Sequence, residues 1–256
     1  MKYLFGDTDL AARRLEIVAD VFAESTRAFV DDAAIGPTRL AIDLGCGPGC
    51  CTHFLAKLLE CDQWVGLDKS ERFISLARKT ETDRVSFRLH DVIEVPFPVG
   101  PADLIFCRFL LTHLTEPRTV VTNWGTQLRP GGVLLMEETE WIETDNPAFA
   151  TYLDIVEAML EHQSNQLYVG RVLDGLVCGR ILKKRMSRVH RFRATNKDAA
   201  TMFSMNIRTW KHNPFVRTNY SAALIGELEK NLHTITKTPG DESEIEWGLR
   251  QIVFGN

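Results

Sequence analysis

No apolar run in the 256-residue chain approaches the roughly 20 residues that a membrane-spanning helix requires, so no membrane partner is expected. No Cys-x-x-Cys pair occurs among the six cysteines (Cys46, Cys50, Cys51, Cys61, Cys107 and Cys178), and no cysteine–histidine cluster follows them. That speaks against a zinc centre and against a disulfide framework; reduced thiols and no metal are the expectation. Positive charge is not in excess: 30 Lys and Arg face 34 Asp and Glu, a net charge of −4. The electrostatic footprint of a nucleic-acid binder is therefore missing. The opening MKYLFGDTD carries two acids and no apolar core, unlike a secretory signal, and a cytoplasmic protein is expected. No Ser/Gly linker, internal repeat or low-complexity run divides the chain. What remains is 45% apolar and 25% charged residues, the balance of an ordinary globular domain.

The most informative stretch is Leu40 to Gly49, LAIDLGCGPG. The apolar run to Leu44 reads as a short buried strand, and Gly45, Gly47 and Gly49 follow at alternate positions. Behind them CTHFLAKLLE carries Phe54, Leu55, Leu58 and Leu59 at helical spacing. Glycines in a strand-to-helix turn let the main chain approach a ligand closely. The free N–H groups and positive end of the helix behind them suit a polar or anionic group. A dinucleotide fingerprint needs a third glycine three residues after Gly47, where this chain has Cys50. The pattern is instead Asp43-x-Gly45-x-Gly47-x-Gly49.

Further along, Gln63 to Asp68 reads as a second strand ending in an acid, with Ser70 capping the next helix. Val85 to Val92, Ala102 to Cys107 and Val133 to Glu138 read as the third to fifth strands. Arg129-Pro130-Gly131-Gly132 forms a tight turn before the fifth. Strands alternating with helices argue for a doubly wound, mostly parallel α/β sheet. Ahead of it lies a helical arm, residues 1–36, with a helix capped at Asp7-Thr8 and a second over Ser25 to Ala34. The alternation breaks after Glu138. A helical insertion, 139–184, holds a helix over Pro147 to Glu161 and a loop at Tyr168 to Arg171. Residues 185–256 add a strand over Met186 to Ala194, helices near Lys197 to Arg208 and Tyr220 to Leu232, and a final strand. The expectation is a single domain, 1–256, with residues 37–138 as its ligand-binding core.

The Asp43–Gly49 turn, Asp68 closing the second strand, Asp91 closing the third and the Arg129–Gly132 turn stand in register. Together they resemble the class I S-adenosylmethionine-dependent methyltransferases of small-molecule type. The resemblance covers Leu40 to about Glu138. It implies a seven-stranded Rossmann-like sheet whose last strand, Glu246 to Phe254, runs antiparallel beside the fifth. It also implies S-adenosylmethionine as cofactor, with Asp43, Gly45, Cys46, Gly47 and Gly49 cradling its methionine part. Asp68, with Lys69 beside it, is implied to bind the ribose hydroxyls, and Asp91 with the Val92 N–H the adenine. Cys107 and Arg108 are implied to lie near the methyl group, with His113 on the cofactor side. Tyr3-x-x-Gly6 and Arg14-Leu15 look like the arm of such enzymes, with Arg14 reaching the cofactor carboxylate. The arm from Met1 to Ala34 is then expected to close over the cofactor.

No Asn/Asp-Pro-Pro-Tyr/Phe follows the fourth strand, which again argues against nucleic-acid substrates and leaves a small organic acceptor. Trp141, Phe149, Tyr152, Met159 and Tyr168 give the insertion an aromatic, apolar character suited to one. Weak candidates for a catalytic base are His113, Glu137, Glu138, His162 and Tyr168, and no motif ties two of them together. Two other readings stay open: an S-adenosylmethionine-binding regulator or subunit without turnover, and an NAD-dependent oxidoreductase, which Cys50 and Asp91 disfavour. The sequence fixes no oligomeric state and leaves a homodimer open.

Overall fold

The computed structural model describes residues 5–179, 181–238 and 243–256. Tyr3 lies outside them. A seven-stranded sheet runs through the molecule in the order β3-β2-β1-β4-β5-β7-β6. Its strands are β1 (Thr38–Leu44), β2 (Cys61–Asp68), β3 (Val85–Leu89), β4 (Ala102–Arg108), β5 (Leu128–Glu143), β6 (Lys183–Thr195) and β7 (Glu244–Gly255). The first five strands pair in parallel, and β7 inserts antiparallel between β5 and β6. The central strands are nearly continuous apolar runs because helices cover both of their faces. One face packs Ile42, Leu44, Ile105, Trp124 and Met136, the other Phe29, Trp64, Phe87, Phe106 and Leu135.

The helices are α1 (Asp9–Val21), α2 (Ala23–Asp32), α3 (Cys50–Leu58), α4 (Glu71–Ala77) and α5 (Pro117–Gly125). They continue with α6 (Pro147–His162), α7 (Gly170–Asp174), α8 (Asn196–Trp210), α9 (Pro214–Asn219) and α10 (Ala222–Lys237). Their starts follow local chemistry. Thr8 accepts from the Ala11 N–H, Ser70 from Phe73 and Asn146 from Ala148, each satisfying an otherwise orphaned donor. A third apolar cluster, built from α6, α8, α10 and β7, stands beyond the carboxyl ends of the strands and includes Phe149, Tyr152, Phe203, Trp210 and Trp247.

Several boundaries differ from the sequence expectation. β3 stops at Leu89, because the Asp91 carboxylate accepts the Ile93 N–H and its carbonyl accepts the Glu94 N–H, folding the chain into a turn. Asp91 and Val92 therefore sit in that turn. β5 continues five residues past Glu138, pairing Thr139 with Leu249 and Trp141 with Gly248. Gly248 has no side chain, and the Trp141 ring occupies the space over it. The expected loop at Tyr168 to Arg171 instead begins a short helix, α7, at Gly170. Among the described residues no helix is long and apolar enough to cross a membrane.

Candidate active site

The glycine turn links the carboxyl end of β1 to α3. Gly45, Gly47 and Gly49 all have positive φ (68°, 54° and 94°), a conformation that costs a side-chain-bearing residue more than glycine. The turn is tied down by β2: the Asp68 Oδ2 accepts the Gly47 N–H at 2.9 Å, and its Oδ1 accepts the Ser70 N–H at 2.8 Å. Asp43, fully buried, accepts the Thr52 hydroxyl at 2.6 Å from the first turn of α3. One carboxylate thus holds the strand end against the helix, and the other holds the turn against the next strand.

A cavity of about 500 Å³ opens above this turn. That is within the roughly 300–1,000 Å³ usual for small-molecule sites. Asp43, Gly45, Cys46, Gly47, Asp68, Lys69, Asp91, Val92, Arg108 and His113 line it from the sheet side, and Arg14 lines it from α1. Lys69 lies 3.8 Å from Asp91 across the strand ends. Arg108 donates to the Thr26 hydroxyl at 2.7 Å and its guanidinium lies against the Phe109 ring. Arg14 lies over the Phe5 ring, 5.2 Å from its centre.

Burial dominates the electrostatics. It pushes the Asp43 carboxyl up to about 7, against the pull of Thr52 and Arg108. It also raises Asp68, although the Ser70 and Gly47 N–H groups and Lys69 oppose it. Burial, with Arg14 and Lys69 adding to it, pushes His113 down to about 3, so the ring is neutral at physiological pH. The thiols of Cys46, Cys50 and Cys51 are raised, the last two to about 11 and about 12, and stay protonated.

Six expected site residues lie elsewhere. Gly49 does not face the cavity; a β-carbon there would strike the Phe87 ring at 2.6 Å, so this glycine serves helix–strand packing. Cys107 is sealed in the core under the sheet. Glu137 is buried behind α2, where it accepts hydrogen bonds from Ser25 Oγ (2.7 Å), Thr26 Oγ1 (2.6 Å) and Gln251 Nε2 (2.7 Å). Alternation along β5 sends Glu138 to the other face, where it accepts the Leu110 and Leu111 N–H groups at 2.8 Å; burial raises its carboxyl to about 8. His162 is exposed at the end of α6 and stacks on Phe215 at 4.6 Å. Tyr168 lines a separate cleft with Glu157, Glu161 and Arg171. Of the five base candidates only His113 reaches the main cavity.

Of the aromatic and apolar residues expected on the opposite wall, Tyr152 lines the cavity, whereas Trp141, Phe149, Met159 and Tyr168 do not; the rest of the wall comes from other elements. Phe22, at the break between α1 and α2, meets Phe109 at 4.9 Å and Trp247 at 5.5 Å, so the arm completes the aromatic wall. Tyr152 of α6 stacks on Phe203 of α8 at 4.0 Å. Asn206 was missed although its position carries a signal: it lies four residues after Met202 and three after Phe203, a polar residue on the buried face of an apolar helix.

The chemistry of this donor set fits a nucleoside bearing a positive charge. Carboxylates stand at the ends of β1 and β2 and just past β3, and the turn between them has room for main-chain approach: a β-carbon on Gly47 would already meet Leu15 at 3.1 Å. Residues 42–136 match the family model of a methyltransferase domain, Methyltransf_11. The chain is 36% identical over 99 residues to the trans-aconitate 2-methyltransferase of Methylobacterium radiotolerans, covering 39% of this chain and 37% of that protein. It is 29% identical over 134 residues to phosphoethanolamine N-methyltransferase 3 of Arabidopsis thaliana, covering 51% of this chain and 27% of that one. The chain thus spans less than half the length of each of these relatives. In fold it resembles the Haemonchus contortus phosphoethanolamine N-methyltransferase 2 solved with phosphomonomethylethanolamine and S-adenosylhomocysteine. The TM-score is 0.52 at 16% identity, over 91% of this chain and 52% of that one. Residues 42–136 thus carry a methyltransferase-domain match, and the seven-stranded sheet built around them shares the fold of solved methyltransferases.

Proposed function

We propose that this protein transfers a methyl group from S-adenosylmethionine to a small organic acceptor. The observation that supports it best is a single cavity shared by the Asp43–Gly47 turn, Asp68 and Asp91 on one side and an aromatic wall on the other. The cofactor supplies a methyl group on a sulfonium, open to in-line attack by an O, N, S or C nucleophile. In this reading Asp68 accepts bonds from the ribose hydroxyls and Asp91 from the adenine amino group. Arg14 pairs with the cofactor carboxylate, and Asp43 sets the turn and the local negative potential. Phe22, Tyr152, Phe203 and Trp247 exclude water from the acceptor.

Among the described lining residues, His113 is neutral and pushed to about 3, and Asp43, pushed up to about 7, is buried and engaged by Thr52 in holding the strand to the helix, so neither is offered to an acceptor as a general base. Rate enhancement then rests on alignment and desolvation, for which orientation alone can contribute roughly 7–11 kcal/mol. Calorimetry should show S-adenosylhomocysteine binding and NAD ignored, and a metabolite extract should yield a methylated product. NAD binding without S-adenosylhomocysteine binding would overturn the reading; cofactor binding with no transfer to any fraction would replace it with a regulator or subunit. His113→Ala should lower kcat by no more than on the order of 10²-fold. A loss above about 10⁴-fold with cofactor binding intact would mark His113 as a dedicated base.

A further inference from the structure

The two sides of the cavity differ in charge. Every charged lining residue, including Arg14, Asp43, Asp68, Lys69, Asp91 and Arg108, comes from the arm or from the ends of β1 to β4. Among the described residues, the lining contributed by the chain after Glu138 is uncharged throughout: apolar and aromatic side chains, two hydroxyls (Thr139 and Tyr152) and three amides. Arg108 is already engaged, with Nη1 donating to the Thr26 hydroxyl at 2.7 Å and to the Phe22 carbonyl at 3.4 Å. A phosphate or carboxylate entering the later half would lose its hydration and meet no cation there.

One polar group in this half is both fixed and unsatisfied. Asn206, 6% exposed, donates from Nδ2 to the Tyr152 hydroxyl at 2.7 Å. Its Oδ1 is buried and has no hydrogen-bond partner. Tyr152 is held in turn by its stack on Phe203, at 4.0 Å between ring centres and 14° between planes. The amide is therefore pre-positioned, and a buried carbonyl without a donor is a cost that a bound O–H or N–H removes. Its neighbours on the same face of α8, Met202 and Phe203, also line the cavity.

Building on the methyltransferase reading above, we infer that the acceptor is an uncharged, flat, largely apolar molecule bearing a hydroxyl or N–H, and that Asn206 Oδ1 receives the hydrogen bond from that group. Asn206 is then a specificity-determining residue, and Tyr152 positions it. The aromatic wall selects a planar apolar body, while Asn206 separates a hydrogen-bond donor from its methylated counterpart. That distinction also favours release of a product methylated at the same group.

The test uses the full chain saturated with S-adenosylhomocysteine and titrated with four probes: 2-naphthol, 2-methoxynaphthalene, phosphoethanolamine and trans-aconitate. 2-Naphthol should bind about five- to tenfold more tightly than 2-methoxynaphthalene, the difference of one buried hydrogen bond, and both should bind more tightly than either anion. Asn206→Leu should erase the preference between the naphthalenes, leaving 2-methoxynaphthalene within about twofold and S-adenosylhomocysteine affinity unchanged. If Asn206→Leu fails to fold, Tyr152→Phe keeps the ring on Phe203 but frees the amide, and should lower the preference about threefold. Equal binding of the two naphthalenes by the unaltered protein, tighter binding of either anion, or an unchanged preference in the folded variants overturns the inference. So does the absence of binding by both naphthalenes. Failure of the unaltered protein to bind S-adenosylhomocysteine overturns the methyltransferase reading instead, and that is measured before any probe is added.

Discussion

Burial brings the titration of Asp43 close to neutral pH. Its carboxyl is ordinarily near 3.8 and is pushed up to about 7 by burial, with Asp68 adding repulsion and Thr52 and Arg108 opposing. The folded chain therefore takes up a proton between about pH 4 and 7 that the unfolded chain does not hold, and Asp43's contribution to stability falls as pH rises through that window. A sulfonium placed nearby favours the ionised form. Affinity for S-adenosylmethionine should then rise roughly three- to tenfold from pH 6 to 8, relative to uncharged S-adenosylhomocysteine. The ratio should flatten in Asp43→Asn; calorimetry across that range measures it, and a flat ratio in the unaltered protein refutes it. Asp68 and Asp91 differ in another way. Asp68 holds the Gly47 N–H of the cradle and the Ser70 N–H at the start of α4 as well as facing the cavity, whereas Asp91 is partly exposed beside Lys69. Asp68→Ala should weaken S-adenosylhomocysteine roughly ten- to a hundredfold, more than Asp91→Ala. Equal or reversed losses would show the ribose assignment to be wrong.

Among the elements, α2 is fastened to the sheet by polar contacts. Ser25 and Thr26 donate to Glu137 of β5, Gln251 of β7 donates to the same carboxylate, and Arg188 of β6 pairs with Asp32 at 2.6 Å. Removing Glu137 leaves three donors without their acceptor, each a loss of about 1–3 kcal/mol. Glu137→Ala should therefore destabilise by at least about 3 kcal/mol in denaturant titration, and Glu137→Gln by less, since one carbonyl oxygen remains. An effect below about 1 kcal/mol for Glu137→Ala would mean that the helix is held by apolar contacts alone. Sequence patterning shows Glu137 only as an acid after the fifth strand. Its partners lie 112, 111 and 114 residues away, and no periodicity reports such pairs. By contrast, β1 to β5 and the capped starts of α1 and α4 were legible, because apolar runs, caps and glycine turns are local signals, while the antiparallel course of β7 was implied by the family resemblance alone. The acceptor wall beyond Tyr152 was not legible: Phe22, Phe203, Asn206 and Trp247 come from elements that meet only in three dimensions. Gly49 and Cys107 carry the right residue types in the right segments, but their side-chain positions point into packing.

For the molecule as a whole, the arm divides into two parts. α1 contributes Arg14, Leu15, Val18 and Ala19 to the cavity, while α2 is tied to the sheet. Closure over a ligand should therefore involve α1 and not the entire stretch from Met1 to Ala34. Hydrogen exchange should slow in α1 when S-adenosylhomocysteine is added, while α2 is protected before and after; a response spread evenly over both helices would show the arm moving as one body. The position of β7 bears on how the protein is made. Glu137 and Gln251, paired across β5 and β7, are 114 residues apart. At translation rates of about 5–20 residues per second, roughly 6 to 23 seconds separate the emergence of one from the other. Until β7 emerges, β5 has no strand to pair with on that side, and Glu137 lacks its Gln251 partner. Any cofactor half assembled before β7 is available carries that unprotected edge, and premature contact between neighbouring ribosome products is the hazard this topology carries.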